Sequence, residues 1–168
     1  AFFECKSLES VSPPESVTSI GEYAFANCLA LKSITIPESV TSIGSGAFIN
    51  CPSLTSISVS ENNKNYCFEN GVLFNKYKTK LIQYLISNTE PIYLVPDSIT
   101  SIGISAFSGC TALESISLPD GLQRIGDSAF RGCTALKSFS IPDGIKTIRE
   151  FTFPECTALE SISIPDSV

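Results

Sequence analysis

The chain repeats itself every 23 residues, and no other feature constrains its fold as much. Six Cys mark the step: Cys5, Cys28 and Cys51, then Cys110, Cys133 and Cys156. Other columns keep the same phase: Leu8, Leu31, Leu54, Leu113, Leu136 and Leu159; Pro14, Pro37, Pro96, Pro119, Pro142 and Pro165; Ile20, Ile43, Ile102, Ile125 and Ile148; Phe2, Phe25, Phe48, Phe107, Phe130 and Phe153. A fixed period in the range of about 20–50 residues is the mark of a solenoid, in which each unit buries its apolar side only by stacking on the next.

Each part of the unit has a physical reading. Ser33-Ile34-Thr35-Ile36 alternates polar and apolar, as a strand with one buried face does. Pro37 removes a backbone donor and ends that strand, and the Pro-Glu or Pro-Asp step suits a turn. Val40 and Ile43 return to the core as a second short extended piece, and Gly44 is expected to let the chain bend. Ala47, Phe48 and Cys51 stand at i, i+1 and i+4, which predicts a short helical turn with its apolar side inward. Stacked units place neighbouring strands about 4.8 Å apart in a parallel sheet.

The phase breaks once. From Leu54 to Leu113 is 59 residues, one repeat of 23 plus 36 more. Within this stretch Val72–Phe74 and Leu81–Tyr84 read as strands joined by a polar turn, a hairpin-like insertion spanning about 60–91. The pattern resumes at Tyr93-Leu94-Val95-Pro96-Asp97, with Glu90 where a Leu is expected. No linker is evident, and 168 residues suggest one domain over 1–168.

Composition excludes much chemistry. There is no His, hence no Ser-His-Asp triad, no Cys-His dyad and no His-containing zinc site. A net charge of -6 argues against nucleic acid as a partner. No apolar run approaches the roughly 18 residues of a spanning helix, so no membrane insertion is expected within this segment. The absence of Met predicts that residue 1 is not the translational start. The chain starts and stops inside a repeat without a polar cap. The expectation is a piece of a longer array, or end-to-end self-association through uncapped repeats.

The unit L-x-S-I-x-I-P-[ED]-x-[VIL]-x-x-I-G-x-x-A-F-x-x-C resembles the BspA-like leucine-rich repeat, also called the treponemal type. The resemblance covers nearly the whole chain. It extends to the segment Asn70-Gly71-Val72-Leu73-Phe74-Asn75 through Thr79-Lys80-Leu81-Ile82, which is similar to a variant repeat of that family. Departures are Pro13 for a strand aliphatic, Arg149 for the Gly and Thr152 for the Ala. The resemblance implies an α/β, right-handed leucine-rich-repeat solenoid with parallel strands on the concave face and short helical turns elsewhere. It implies a secreted or cell-surface protein associated with adhesion to host or extracellular-matrix proteins, or with binding other surface proteins. The motif is structural and carries no catalytic residues.

Residues with possible chemistry are set against plainer readings. The columnar Cys fit buried reduced thiols better than disulfides, because side chains in one column point the same way. Metal is less favoured, for want of short C-x-x-C clips. Cys67 lies outside the column, either a reactive thiol or an exposed bystander. Glu15, Glu38, Asp97, Asp120, Asp143 and Asp166 form an acidic column that reads first as turn residues, with a docking edge or weak calcium site as the alternative. Glu114, Lys137 and Glu160 become cross-strand neighbours that support register.

The outward strand columns are hydroxyl-rich and include Ser58 and Ser117. Ile92 and Leu94 interrupt them. Tyr66, Tyr77, Tyr84 and Tyr93 cluster nearby, either as interface anchors or as core filling. Tyr93 falls in the inward column, and Tyr77, between Lys76 and Lys78, is the most exposed candidate. The candidate protein-binding set is therefore Tyr66, Tyr77, Tyr84, Ile92, Leu94, Ser58 and Ser117, with no catalytic, cofactor or metal site. The functional expectation is a non-catalytic protein-binding or adhesion module. A spacer displaying another domain is the alternative, and a carboxylate-based enzyme is disfavoured.

Overall fold

The computed structural model describes all 168 residues. The strands are β1 (Ser10–Val11), β2 (Ser19–Ile20), β3 (Ser33–Ile36), β4 (Ser42–Ile43), β5 (Ser56–Val59), β6 (Tyr66–Glu69), β7 (Val72–Asn75), β8 (Lys80–Tyr84), β9 (Ile92–Leu94), β10 (Ser101–Ile102), β11 (Ser115–Ser117), β12 (Arg124–Ile125), β13 (Ser138–Ser140) and β14 (Ser161–Ser163). They wind into a parallel-strand solenoid of about seven coils. β1, β3, β5, β9, β11, β13 and β14 carry the alternating repeat segment and line one face. β2, β4, β8, β10 and β12 lie on a second face.

Register follows the repeat. Ser10 pairs with Ser33 and Ser33 with Ser56, while Ile34 pairs with Ile57. Because side chains alternate across a strand, Ile34, Ile36 and Ile57 are buried and the Ser and Thr beside them point outward. On the second face Ser19 pairs with Ser42 and Ser101 with Arg124. Glycine follows this second strand because the preceding coil runs against it. A Cβ on Gly126 would stand 2.5 Å from the Ile104 amide nitrogen and 2.6 Å from the Gly103 carbonyl carbon. Close approach therefore explains this column, where bending was expected. In the last coil Arg149 takes the position, and no strand forms opposite β12.

The third side overturns an expectation: it contains no helix. Amides there alternate between two partners. Ala24, Ala26 and Cys28 N–H donate three residues back, to Gly21, Tyr23 and Phe25 O. Tyr23, Phe25 and Asn27 N–H donate instead to Ser45, Ala47 and Ile49 O of the next coil. The alternation needs left-handed residues at fixed places. Tyr23 has φ 52° and Asn27 φ 61°, and the equivalent Ser105 and Ser128 both have φ 55°. Such residues, each costing roughly 1–2 kcal/mol when not glycine, prevent a continuous right-handed helix. In exchange this side becomes another ladder between coils.

The Cys column belongs to that ladder. Cys51 Sγ donates to Phe25 O at 3.1 Å, Cys133 to Phe107 O at 3.2 Å and Cys156 to Phe130 O at 3.1 Å. Each thiol thus occupies a carbonyl of the preceding coil while packing as a small apolar group. All seven Cys are free thiols. Phe rings stack beside them: Phe2 on Phe25 at 5.3 Å, Phe25 on Phe48 at 5.9 Å, and Phe107 on Phe130 at 5.0 Å.

The insertion is larger than a hairpin. β6 precedes the two expected strands, and β6–β7–β8 form an antiparallel meander. β8 also pairs in parallel with β10, which returns the chain to the solenoid. The meander divides the core. Val72 and Phe74 pack into a cluster with Leu81, Phe107 and Phe130, whereas Leu73 packs into a second cluster with Leu31, Phe48 and Leu54. β7 is thus buried on both faces.

Candidate interaction surface

The outward columns of the strand face are hydroxyl-rich on both sides of the insertion, and Ser58 and Ser117 are exposed members. At β9 the pattern changes. Ile92 stands in register with Ser115, and Leu94 with Ser117. Their side chains point to solvent, 62% and 70% exposed. An apolar pair on an otherwise polar sheet face has no role in the core, and β9 has its ladder partner on one side only, β11. A groove of about 330 Å³ opens on the same face between β5 and β6, lined by Ser58, Val59, Cys67, Phe68 and Lys76 among others.

Local chemistry shapes the meander beside this face. Glu69 pairs with Val72 across the two-residue turn Asn70-Gly71, and both turn residues have positive φ, 50° and 77°. That is the type I′ geometry that matches strand twist. The Asn-Gly dipeptide was the available signal for β6. The β7–β8 turn is organised by Asn75. Its Oδ1 accepts from Thr79 N at 2.9 Å and Lys80 N at 2.8 Å, and its Nδ2 donates to Thr79 Oγ1 at 2.8 Å. Tyr77 sits at this tip, 82% exposed, and Lys78 pairs with Glu69 across the base.

The tyrosines divide by burial. Tyr66 and Tyr84 are buried. The Tyr66 hydroxyl accepts from Ile43 N at 2.9 Å and donates to Thr41 O at 3.2 Å. It thereby occupies backbone groups of β4 that another coil would otherwise pair. Tyr84 takes the place of Phe in the ring stack, 5.1 Å from Phe107, and its hydroxyl has no hydrogen-bond partner. Tyr93 is half-buried, its ring 4.9 Å from Tyr84 in an edge-to-face arrangement.

Two residues outside the candidate set hold the transition between coils and meander. Asn63 is fully buried. Its Nδ2 donates to Pro37 O at 2.7 Å and Val40 O at 3.1 Å, while its Oδ1 accepts from Asn65 N and Tyr66 N. Gln83 Nε2 donates to Tyr84 O at 3.0 Å and Ala106 O at 3.1 Å. It does for Tyr84 what the Cys column does for Phe. A sequence pattern read for apolar columns carries no signal for either amide.

Cys67 is half-buried rather than an exposed bystander. Its thiol lies 3.6 Å from Asn75 O and packs on the Val72–Phe74 side of the core. Burial pushes its pKa up against the lowering effect of Lys78 and Lys76, which keeps it protonated and weakly nucleophilic. In the charged column Lys137 bonds Glu114, not Glu160, and Lys32 bonds Glu9 at 2.8 Å. These pairs are exposed and contribute about 0–1 kcal/mol each.

Comparison with other proteins agrees with the repeat. The model of the BspA-type leucine-rich repeat region, in six copies, matches residues 1–92 and 83–168. A leucine-rich repeat protein from Eubacterium ventriosum superposes with TM-score 0.84 at 34% identity, over 94% of this chain and 42% of that one. A leucine-rich cell surface protein from Faecalibacterium prausnitzii gives TM-score 0.56 at 26% identity, over 96% of this chain and 61% of that one. The T. pallidum leucine-rich repeat protein gives TM-score 0.53 at 25% identity, over 94% of this chain and 70% of that one. No curated protein matches. The chain spans less than half the length of the Eubacterium ventriosum protein, and no catalytic family is indicated. It belongs to the BspA-type leucine-rich repeat family.

Proposed function

We propose that the chain is a protein-binding module of a secreted or cell-surface protein, engaging a host, matrix or neighbouring surface protein through the strand face beside the insertion. The observation that carries this reading is the exposed pair Ile92 and Leu94, set in register with Ser115 and Ser117 on a face otherwise hydroxyl-rich. Ser is depleted in interfaces and rarely an anchor, whereas burying an aliphatic pair contributes about 25 cal/mol per Å² of apolar area. The groove beside Ser58 extends the surface. Surface placement is favoured by the family and by the likeness to the Faecalibacterium prausnitzii cell surface protein.

The test is binding of the intact chain to a panel of matrix and cell-surface proteins, alongside Ile92→Ser/Leu94→Ser. A partner that binds the native chain and is lost with the double variant supports the reading. A partner held equally by both removes β9 from the surface, and the absence of any partner favours a spacer.

A further inference from the structure

The second face carries a pocket of different chemistry. It has a volume of about 270 Å³ and lies where the meander meets β4, lined by Thr41, Ile43, Lys64, Asn65, Tyr66, Asn75, Tyr77, Lys80 and Ile82. None of these residues is acidic. The chain carries -6 overall, yet residues 62–80 hold four Lys against one Glu. Lys64 and Lys80 are exposed and belong to none of the five ion pairs. The acidic side chains Glu15, Glu38 and Glu61 line the adjoining open basin, which Lys64 borders.

We propose that this pocket binds an acidic oligosaccharide, a sugar bearing sulfate or carboxylate groups. Two unpaired ammonium groups over a pocket without carboxylates select an anion. The negative charge on the rest of the chain repels polyanions elsewhere. The β4 wall closes one route for the other common anionic partner, an extended acidic peptide, namely pairing of its backbone with a sheet edge. On this side of β4 the free edge groups, Ile43 N and Thr41 O, are already held by the Tyr66 hydroxyl. What remains open is the Tyr77 ring, 82% exposed, with lysines beside it. A ring face offers a flat apolar platform for a sugar ring while the lysines reach its charged substituents. The volume lies near the lower end of small-ligand sites, about 300 Å³. This site is on a different face from Ile92 and Leu94 and does not rest on the protein-binding reading.

The experiment titrates the whole chain with three probes: a sulfated heparin-type tetrasaccharide, a hyaluronan tetrasaccharide bearing only carboxylates, and a poly-glutamate peptide of matched charge. Isothermal titration is repeated at rising salt and with Lys64→Gln/Lys80→Gln, Tyr77→Ser and Lys137→Gln. One or both saccharides bind saturably and more weakly as salt rises. The double lysine variant weakens binding about tenfold, as loss of two charge-assisted contacts should. Tyr77→Ser weakens it less, and Lys137→Gln, whose partner is Glu114, leaves it unchanged. The two saccharide arms separate sulfate from carboxylate recognition. The proposal is overturned if neither saccharide binds, if the double lysine variant binds normally, or if poly-glutamate binds at least as tightly. The variants replace exposed side chains, and circular dichroism verifies that each is folded.

Discussion

The regular coils and the inserted meander solve the same problem in different ways. Between coils, orphaned backbone groups are satisfied by repetition: an amide of one coil meets a carbonyl of the next, and a Cys thiol takes the Phe carbonyl of the coil before. At the insertion repetition fails. β5 and β9 are not paired, and neither are β4 and β8. Single side chains stand in: Tyr66 for β4, Asn63 for the loops near Pro37 and Val40, and Gln83 for the Tyr84 carbonyl. One solution is spread over the repeats. The other is concentrated in three residues, and the exposed apolar and cationic side chains gather around it.

The sharpest way to break the regular half is Gly126→Ala. The added Cβ meets backbone atoms of Gly103 and Ile104 that cannot rotate away. The expected cost is roughly 3 kcal/mol in urea unfolding, and a cost under about 0.5 kcal/mol would mean the coils are not this close.

The carbonyl-capping role of the thiols separates the two regions more finely. Cys133→Ala leaves Phe107 O with the Cys110 amide as its one remaining donor, whereas Tyr84 O keeps Gln83 when Cys110 is truncated. Cys133→Ala should therefore cost about 0.5 kcal/mol more than Cys110→Ala, the low end of one hydrogen bond's worth, because a thiol is a weak donor. Equal costs would reduce the Cys column to packing alone.

The same thiols set a pH dependence. Burial pushes Cys51 up to about 11 and Cys133 up to about 12, from an ordinary value of 9.0. The unfolded thiols ionise first, so the folded state holds more protons between these values. Their contribution to stability is fully present below pH 9 and is lost as pH rises through 11 to 12. Denaturant midpoints measured from pH 8 upward follow it. In Cys51→Val/Cys133→Val the decline in this window should be shallower, and an unchanged decline would assign it to other groups.

Tyr84→Phe probes the insertion with a smaller change of opposite sign. The hydroxyl is buried without a partner, in a column that is otherwise Phe. Its removal should stabilise by about 1 kcal/mol, and destabilisation in the same unfolding experiment would reveal a hydrogen bond to the hydroxyl.

The regular coils were legible in the sequence because they are written six times over. Ile34, Leu31, Phe48 and Val40 fall where the repeat places them, all buried. The third side was misread because the i, i+1, i+4 spacing of Ala47, Phe48 and Cys51 is shared by a helical turn and by successive turns linked through left-handed residues. Asn27, Asn50, Gly109 and Gly132 at equivalent places, all with positive φ, were the signal against a helix. In the insertion, two apolar segments either side of a polar turn marked β7 and β8, but β6 needed the Asn70-Gly71 turn to be recognised. Of the candidate surface, Ile92, Leu94 and Tyr77 stood out as breaks in polarity, and they are exposed. Tyr66 and Tyr84 were indistinguishable from them by residue type, since their burial is set by chain segments distant in sequence.

On the proposed reading, the repeats support and the region of the break recognises. Ile92→Ser/Leu94→Ser separates the two roles, because it rewrites β9 in the hydroxyl pattern of its neighbours and leaves the fold alone. Both side chains are exposed, so stability should change by under about 0.5 kcal/mol. The decisive measurement is the affinity of this variant, against the native chain, for a surface or matrix protein that the native chain binds. The expected loss is about tenfold or more, from uncovered apolar area alone. Unchanged affinity with unchanged stability would contradict it.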